Sequence, residues 1–124
     1  MNKIQAAFEI LYFLCAADGN VDDREVSVIR EFLEANYTMV SFDPHEVIND
    51  IEILNSEGRL EEFTSAVMQF KTLSAATDRR IFLNFAVKLI VADGSVSEGE
   101  DYLFKLIANT WGIDISSFIS VVAL

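Results

Sequence analysis

A chain of 124 residues with 52% apolar content is long and apolar enough to bury a core, which excludes a disordered polypeptide and predicts a single domain over residues 1–124. Twenty acidic residues against nine basic ones give a formal charge of -11, which repels phosphate backbones and anionic lipid surfaces while attracting cations and basic protein surfaces; neither nucleic acid nor a membrane is an expected partner. The single cysteine, Cys15, allows no intramolecular disulfide and no thiolate metal cluster, in keeping with a cytoplasmic setting.

Only one proline and five glycines interrupt the chain, and apolar positions mostly recur at three and four, so the sequence predicts an all-α bundle of about seven helices without strands. The first spans about residues 3–17, with Ile4, Ala7, Phe8, Leu11 and Leu14 on one stripe. Gly19 is expected to end it in a left-handed conformation. The apolar run from Ile10 to Ala17 after Lys3 looks at first like a signal sequence. However, Leu14 to Ala17 align with Leu89 to Ala92 deep inside the chain, and Glu9 interrupts the stretch. No window approaches the roughly 18 apolar residues of a membrane span.

The second helix starts at Asp22, with Glu25 three positions on, and carries Val28, Ile29, Phe32 and Leu33 inward. Asp43-Pro44 opens the third, which buries Val47, Ile48, Ile51 and Leu54. Asn55 to Gly58 reads as a turn; the fourth helix then takes Leu60, Phe63, Val67 and Phe70 inward, and the fifth takes Ile81, Phe82, Phe85, Ala86 and Leu89 until Gly94 stops it. Ser97 with Glu100 is a Ser-x-x-Glu capping box opening the sixth, which buries Leu103, Phe104 and Ile107 before Trp111-Gly112. Asp114 opens a last short helix whose residues Ile115, Phe118, Ile119, Val122 and Leu124 call for cover by the core or by a partner, a second copy included.

One pattern occurs twice. Ala17-Asp18-Gly19-Asn20-Val21-Asp22-Asp23-Arg24-Glu25 recurs as Ala92-Asp93-Gly94-Ser95-Val96-Ser97-Glu98-Gly99-Glu100, each copy between apolar helical segments, so the chain carries an approximate internal repeat. Read structurally, each copy is a connector between helices: glycine to end one, valine as a buried plug, then an N-cap answered by a glutamate. That reading leaves Asp18 and Asp93 unexplained, because each precedes the glycine at the carbonyl end of a helix, where the macrodipole disfavours negative charge by about 0.3–1 kcal/mol.

A cation would favour aspartate there, and Asp-Gly followed by Glu at this spacing matches the second half of a calcium loop. The first half is absent, since Leu14 and Ala16, or Leu89 and Val91, stand where oxygen ligands belong. A site therefore requires both turns to pool Asp18, Asp22, Glu25, Asp93, Glu98 and Glu100, hard oxygen donors suited to calcium, magnesium or manganese. Docking of a basic protein on the same acids is the third reading.

The doubled motif, followed by Trp-Gly-Ile-Asp-x-x-x-Phe from Trp111 to Phe118, resembles the TerB-like tellurite-resistance family; a related domain lies within DnaJ-like membrane-anchored cochaperones. With neither a J-domain signature nor a membrane anchor, the chain resembles the free-standing form. The resemblance implies a seven-helix bundle, an acidic surface and a divalent-metal role in stress response, and it carries over to Asp18, Glu25, Asp93 and Glu100.

Other residues offer little chemistry. His45 is alone and in the first turn of a helix, Cys15 reads as a small core residue, and Arg79-Arg80 as salt-bridge partners for the surplus acids. No phosphate-binding glycine loop and no Gly-x-Ser-x-Gly occurs, so neither an enzyme nor a small-molecule substrate is indicated. The sequence thus points to a non-enzymatic acidic module that binds a divalent cation, or alternatively to a metal-free protein-protein interaction scaffold that uses the acidic face and the apolar C-terminal helix.

Overall fold

Asn2 starts the first helix by accepting a hydrogen bond from the Gln5 N–H at 2.8 Å, which satisfies one of the donors a helix start leaves unpaired. In the computed structural model, which describes residues 1–17, 19, 21–37, 42–91 and 96–114, this helix (α1, Lys3–Ala16) is the centre of the molecule. Every residue from Ala6 to Cys15 is buried. The expected single stripe understates α1: Ile10, Tyr12 and Phe13 are buried along with Ala7, Phe8, Leu11 and Leu14, as a helix apolar on most of its sides requires. It packs against α4 (Ser56–Leu73), α2 (Asp23–Asn36), α5 (Ala76–Ile90) and α6 (Glu98–Trp111).

The surrounding helices are amphipathic, and their local signals explain their ends. Asp43 caps α3 (Pro44–Glu52) by accepting from the His45 N–H at 3.0 Å, with Pro44 in the first turn. That helix ends at Glu52, short of Leu54. Asn55 to Gly58 is the start of α4 and not a turn, because the Asn55 side chain accepts from the Gly58 N–H at 2.7 Å. The buried faces are rotated slightly from those expected. Val28, Leu60 and Ile81 are exposed, whereas Val26, Ala66, Leu83 and Val87 lie in the core.

Arg79 closes the far end of α4, donating from Nη1 to the carbonyls of Ser74 at 2.6 Å and Lys71 at 3.1 Å. Among the described residues Arg79 makes no ion pair with an acid, where the sequence predicts one; a guanidinium suits the orphan carbonyls at a helix C-terminus. Aromatic contacts tie the outer helices together. Trp111 of α6 stacks on Phe70 of α4 at 5.2 Å between ring centroids, meets Phe82 of α5 edge-on at 5.6 Å, and donates its indole N–H to the Val67 carbonyl at 2.9 Å. Phe32 and Phe85 stack at 4.0 Å between α2 and α5.

Gly112 ends α6 at φ +68°, with the Ile113 N–H reaching the Ala108 carbonyl at 2.9 Å and its own N–H reaching Asn109 at 3.3 Å, the hydrogen-bond pattern of a Schellman cap. The described residues thus hold six helices and no strand; the last expected helix, over 115–124, falls outside them. No described helix is long and apolar enough to cross a membrane.

Candidate functional site

The first copy of the repeated motif connects α1 to α2. The helical hydrogen bonding of α1 stops at Ala16, Ala17 keeps right-handed geometry, and Gly19 follows at φ +148° with its N–H on the Ala16 carbonyl at 3.3 Å. That backbone angle is open to glycine and costly for residues with a Cβ. Gly19 therefore redirects the chain after the helix has ended and is not its left-handed cap. Asp22 then caps α2, accepting from the Glu25 N–H at 2.9 Å while the Glu25 carboxylate accepts from the Asp22 N–H at 3.3 Å, the reciprocal capping box expected from the sequence.

The second copy connects α5 to α6. Helix α5 ends at Ile90, with Val91 at its C-cap. Ser97 accepts from the Glu100 N–H at 3.1 Å, and the Glu100 carboxylate accepts from the Ser97 N–H at 2.8 Å. Val96 is exposed and Val21 half-buried, so the buried-plug role expected of both valines holds in part for the first alone. Asp18, Asp93 and Gly94 lie outside the described residues.

The two copies touch. A Cβ added to Gly99 would stand 3.0 Å from the Ala17 carbonyl oxygen and 3.3 Å from the Ala17 Cβ, so the first turn of α6 rests directly on the end of α1. Of the expected ligands, Glu100 is buried at 4% exposure, Glu25 is half-buried, and Asp22 and Glu98 are exposed. Each capping bond occupies one oxygen of Asp22, Glu25 or Glu100, and a carboxylate has a second with which to accept. Among the described residues no group of three histidine, cysteine or carboxylate side chains is placed to hold one metal ion. Beside the first turn lies an open cavity of about 600 Å³ whose lining includes Gly19, Val21, Tyr12 and Arg59. Burial, then the nearby Glu52, push the Tyr12 hydroxyl pKa upward.

The sequence-defined match is to the family described as "Tellurite resistance protein TerB", over residues 5–123. The chain belongs to the TerB family. No curated protein and no solved structure matches it. The expected resemblance thus extends over almost the whole chain, including the connecting helices α3 and α4 as well as the doubled motif.

Sequence reasoning passed over one TerB-chain residue, Glu9, except as an interruption of an apolar run. Its carboxylate sits on the central helix at 1% exposure, with Oε2 accepting from the Gln5 side chain at 3.0 Å and Oε1 without a hydrogen-bond partner among the described residues. Burial, followed by the neighbouring Glu62, raises its pKa to about 8. The signal was present: Glu9 is the one acidic residue of α1, and a glutamate within so apolar a helix is rarely buried unless it is paired.

Proposed function

We propose that this TerB-family chain is a non-enzymatic acidic module in which the two Asp-Gly-x-Val-x-x-x-Glu turns together bind a divalent cation, calcium, magnesium or manganese, in a stress or tellurite-resistance setting suggested by the family name. The supporting observation is the seating of Gly99 on Ala17, which brings the start of α6 against the first turn. Neither turn alone has a calcium loop's ligands, so adjacency is what the reading needs. The described acids do not by themselves make a site; Asp18 and Asp93 would hold the ion, with Asp22, Glu25, Glu98 and Glu100 completing its oxygen shell. The ion would supply charge neutralisation and a cross-link between two helix ends.

Thermal unfolding in each chloride salt against excess chelator tests this. An ion held by the native state at one hundred times its Kd adds about 2.7 kcal/mol to stability, and Asp18→Asn with Asp93→Asn should remove that gain. A midpoint indifferent to millimolar ion would sink the proposal. A second reading, a metal-free interaction scaffold, draws support from the capping boxes, which give Glu25 and Glu100 a structural use without any ion. Under it the ion has no effect and the acidic face binds a basic protein surface.

A further inference from the structure

A cleft of about 300 Å³ opens between α1, α3 and α4, and none of the residues of the repeated turns lines it. Three of its lining residues are acids: Glu9 from α1, Asp50 from α3 and Glu62 from α4. Val47, Ile51 and Leu54 supply an apolar wall, and Gln5 is the remaining polar side chain of the lining. No described basic side chain lines it.

Glu9 is the informative member. A carboxylate oxygen removed from water without a hydrogen bond is costly, by about 1–3 kcal/mol and more when charged. Oε1 of Glu9 is such an atom. The Gln5 amide serves the other oxygen, and the adjacent Glu62 offers only acceptor oxygens when ionised. Glu62 is half-buried beside it, and a buried carboxylate next to a second acid is stabilised by a positive species, either its own proton or a bound cation. Among charged groups facing Glu9, Glu62 raises its proton affinity and the Met1 amino group lowers it more weakly.

The wall decides between kinds of cation. A bare divalent ion needs several converging oxygens and gains nothing from aliphatic neighbours, and no three described carboxylates converge in that way. An alkylammonium uses both surfaces: three N–H donors for carboxylates and the Gln5 carbonyl oxygen, and methylenes for Val47, Ile51 and Leu54. The volume lies at the small end of the range for ligand pockets.

We propose that the cleft between α1, α3 and α4 binds a small primary alkylamine, whose ammonium group pairs with the carboxylates of Glu9 and Glu62 and whose chain lies along Val47, Ile51 and Leu54. Binding releases the proton that Glu9 carries to solvent, and no covalent bond between heavy atoms is made or broken. The site is separate from the turns, so it stands or falls independently of cation binding there.

Calorimetric titration of the whole chain with n-butylamine at pH 7, in two buffers of different ionisation heat, tests the proposal. Saturable binding with release of up to about one proton is expected, because Glu9 with a pKa near 8 is largely protonated at that pH. Glu9→Gln and Glu62→Gln should each weaken affinity by about tenfold or more, since each removes a charge-assisted hydrogen bond. Tetramethylammonium, which has no N–H donor, should not compete. Circular dichroism checks that the variants are folded, and the wild-type proton count gives a reading that needs no variant. No saturable heat, binding without proton release, or equal binding by folded Glu9→Gln would each overturn the proposal. Displacement of the same proton by calcium or magnesium at lower concentration than the amine would overturn it in favour of an inorganic ion.

Discussion

The two capped turns carry the same local code in different surroundings. At the first, Asp22 and Arg24 are exposed and the return bond from Glu25 spans 3.3 Å; at the second, Glu100 is buried and its return bond is 2.8 Å. The position of Arg24 is taken by Gly99 in the second copy, where a side chain would press on the backbone of Ala17. One turn is a surface connector and the other is a packing joint. Duplicated sequence therefore set the hydrogen bonds alike, while tertiary contact gave them unequal weight.

Exchanging the residues that differ should expose that inequality most strongly. Gly99→Arg forces the start of α6 away from the Ala17 carbonyl, and overpacking of this kind against backbone costs about 2–3 kcal/mol. The reverse exchange, Arg24→Gly, meets open solvent and should cost about 1 kcal/mol through helix propensity alone. Denaturant unfolding measures both. Equal losses would mean that the two turns are equivalent after all. Next in size, Glu100→Ala leaves the Ser97 N–H without its partner in a part-buried site and should cost about 2 kcal/mol, against under about 1 kcal/mol for Glu25→Ala. Glu100→Gln, which keeps an acceptor oxygen, should recover most of the loss.

Glu9 sharpens the contrast from another side, because it is buried like Glu100 yet lacks the backbone donor that Glu100 accepts from. Its ordinary pKa of 4.5 in the unfolded chain rises to about 8 in the fold. Between those values the native state holds a proton that the unfolded state has released, so stability falls as pH rises through that window. The slope attributable to Glu9 reaches at most about 1.4 kcal/mol per pH unit. Glu9→Gln should flatten the dependence and raise stability at pH 8 more than at pH 5, as read by denaturant midpoints. An unchanged slope would place the titration elsewhere.

Much of this architecture was legible in the residues. Asp22 with Glu25 and Ser97 with Glu100 announced both helix starts, Asp43-Pro44 a third, and Trp111-Gly112 the end of α6, because capping chemistry is local and the residue types are few. Periodicity found the helices but misjudged their faces at Val28, Leu60 and Ile81, since a stripe near its edge is assigned by whichever neighbour packs there. The centrality of α1 was readable in principle from apolar residues on most of its sides. The contact of Gly99 with Ala17 was not, for nothing local says what approaches a glycine. The same holds for the cleft around Glu9, where α1 meets the consecutive helices α3 and α4 from far along the chain.

The smallest expected effect bears on why the first turn carries an aspartate where the second has a serine. Both residues cap helices comparably, so Asp22→Ser should leave stability within about 0.5 kcal/mol of the parent, while Asp22→Ala loses the bond to the Glu25 N–H and about 1 kcal/mol with it. The negative charge adds a further helix-dipole contribution that salt screens, so the gap between aspartate and serine should close as ionic strength rises. If Asp22→Ser preserves the fold but lowers the gain from a divalent ion, the charge at this turn serves the ion and not the helix. If Asp22→Ala instead costs as much as Glu100→Ala, the first turn is as desolvated as the second, and the distinction between connector and joint fails.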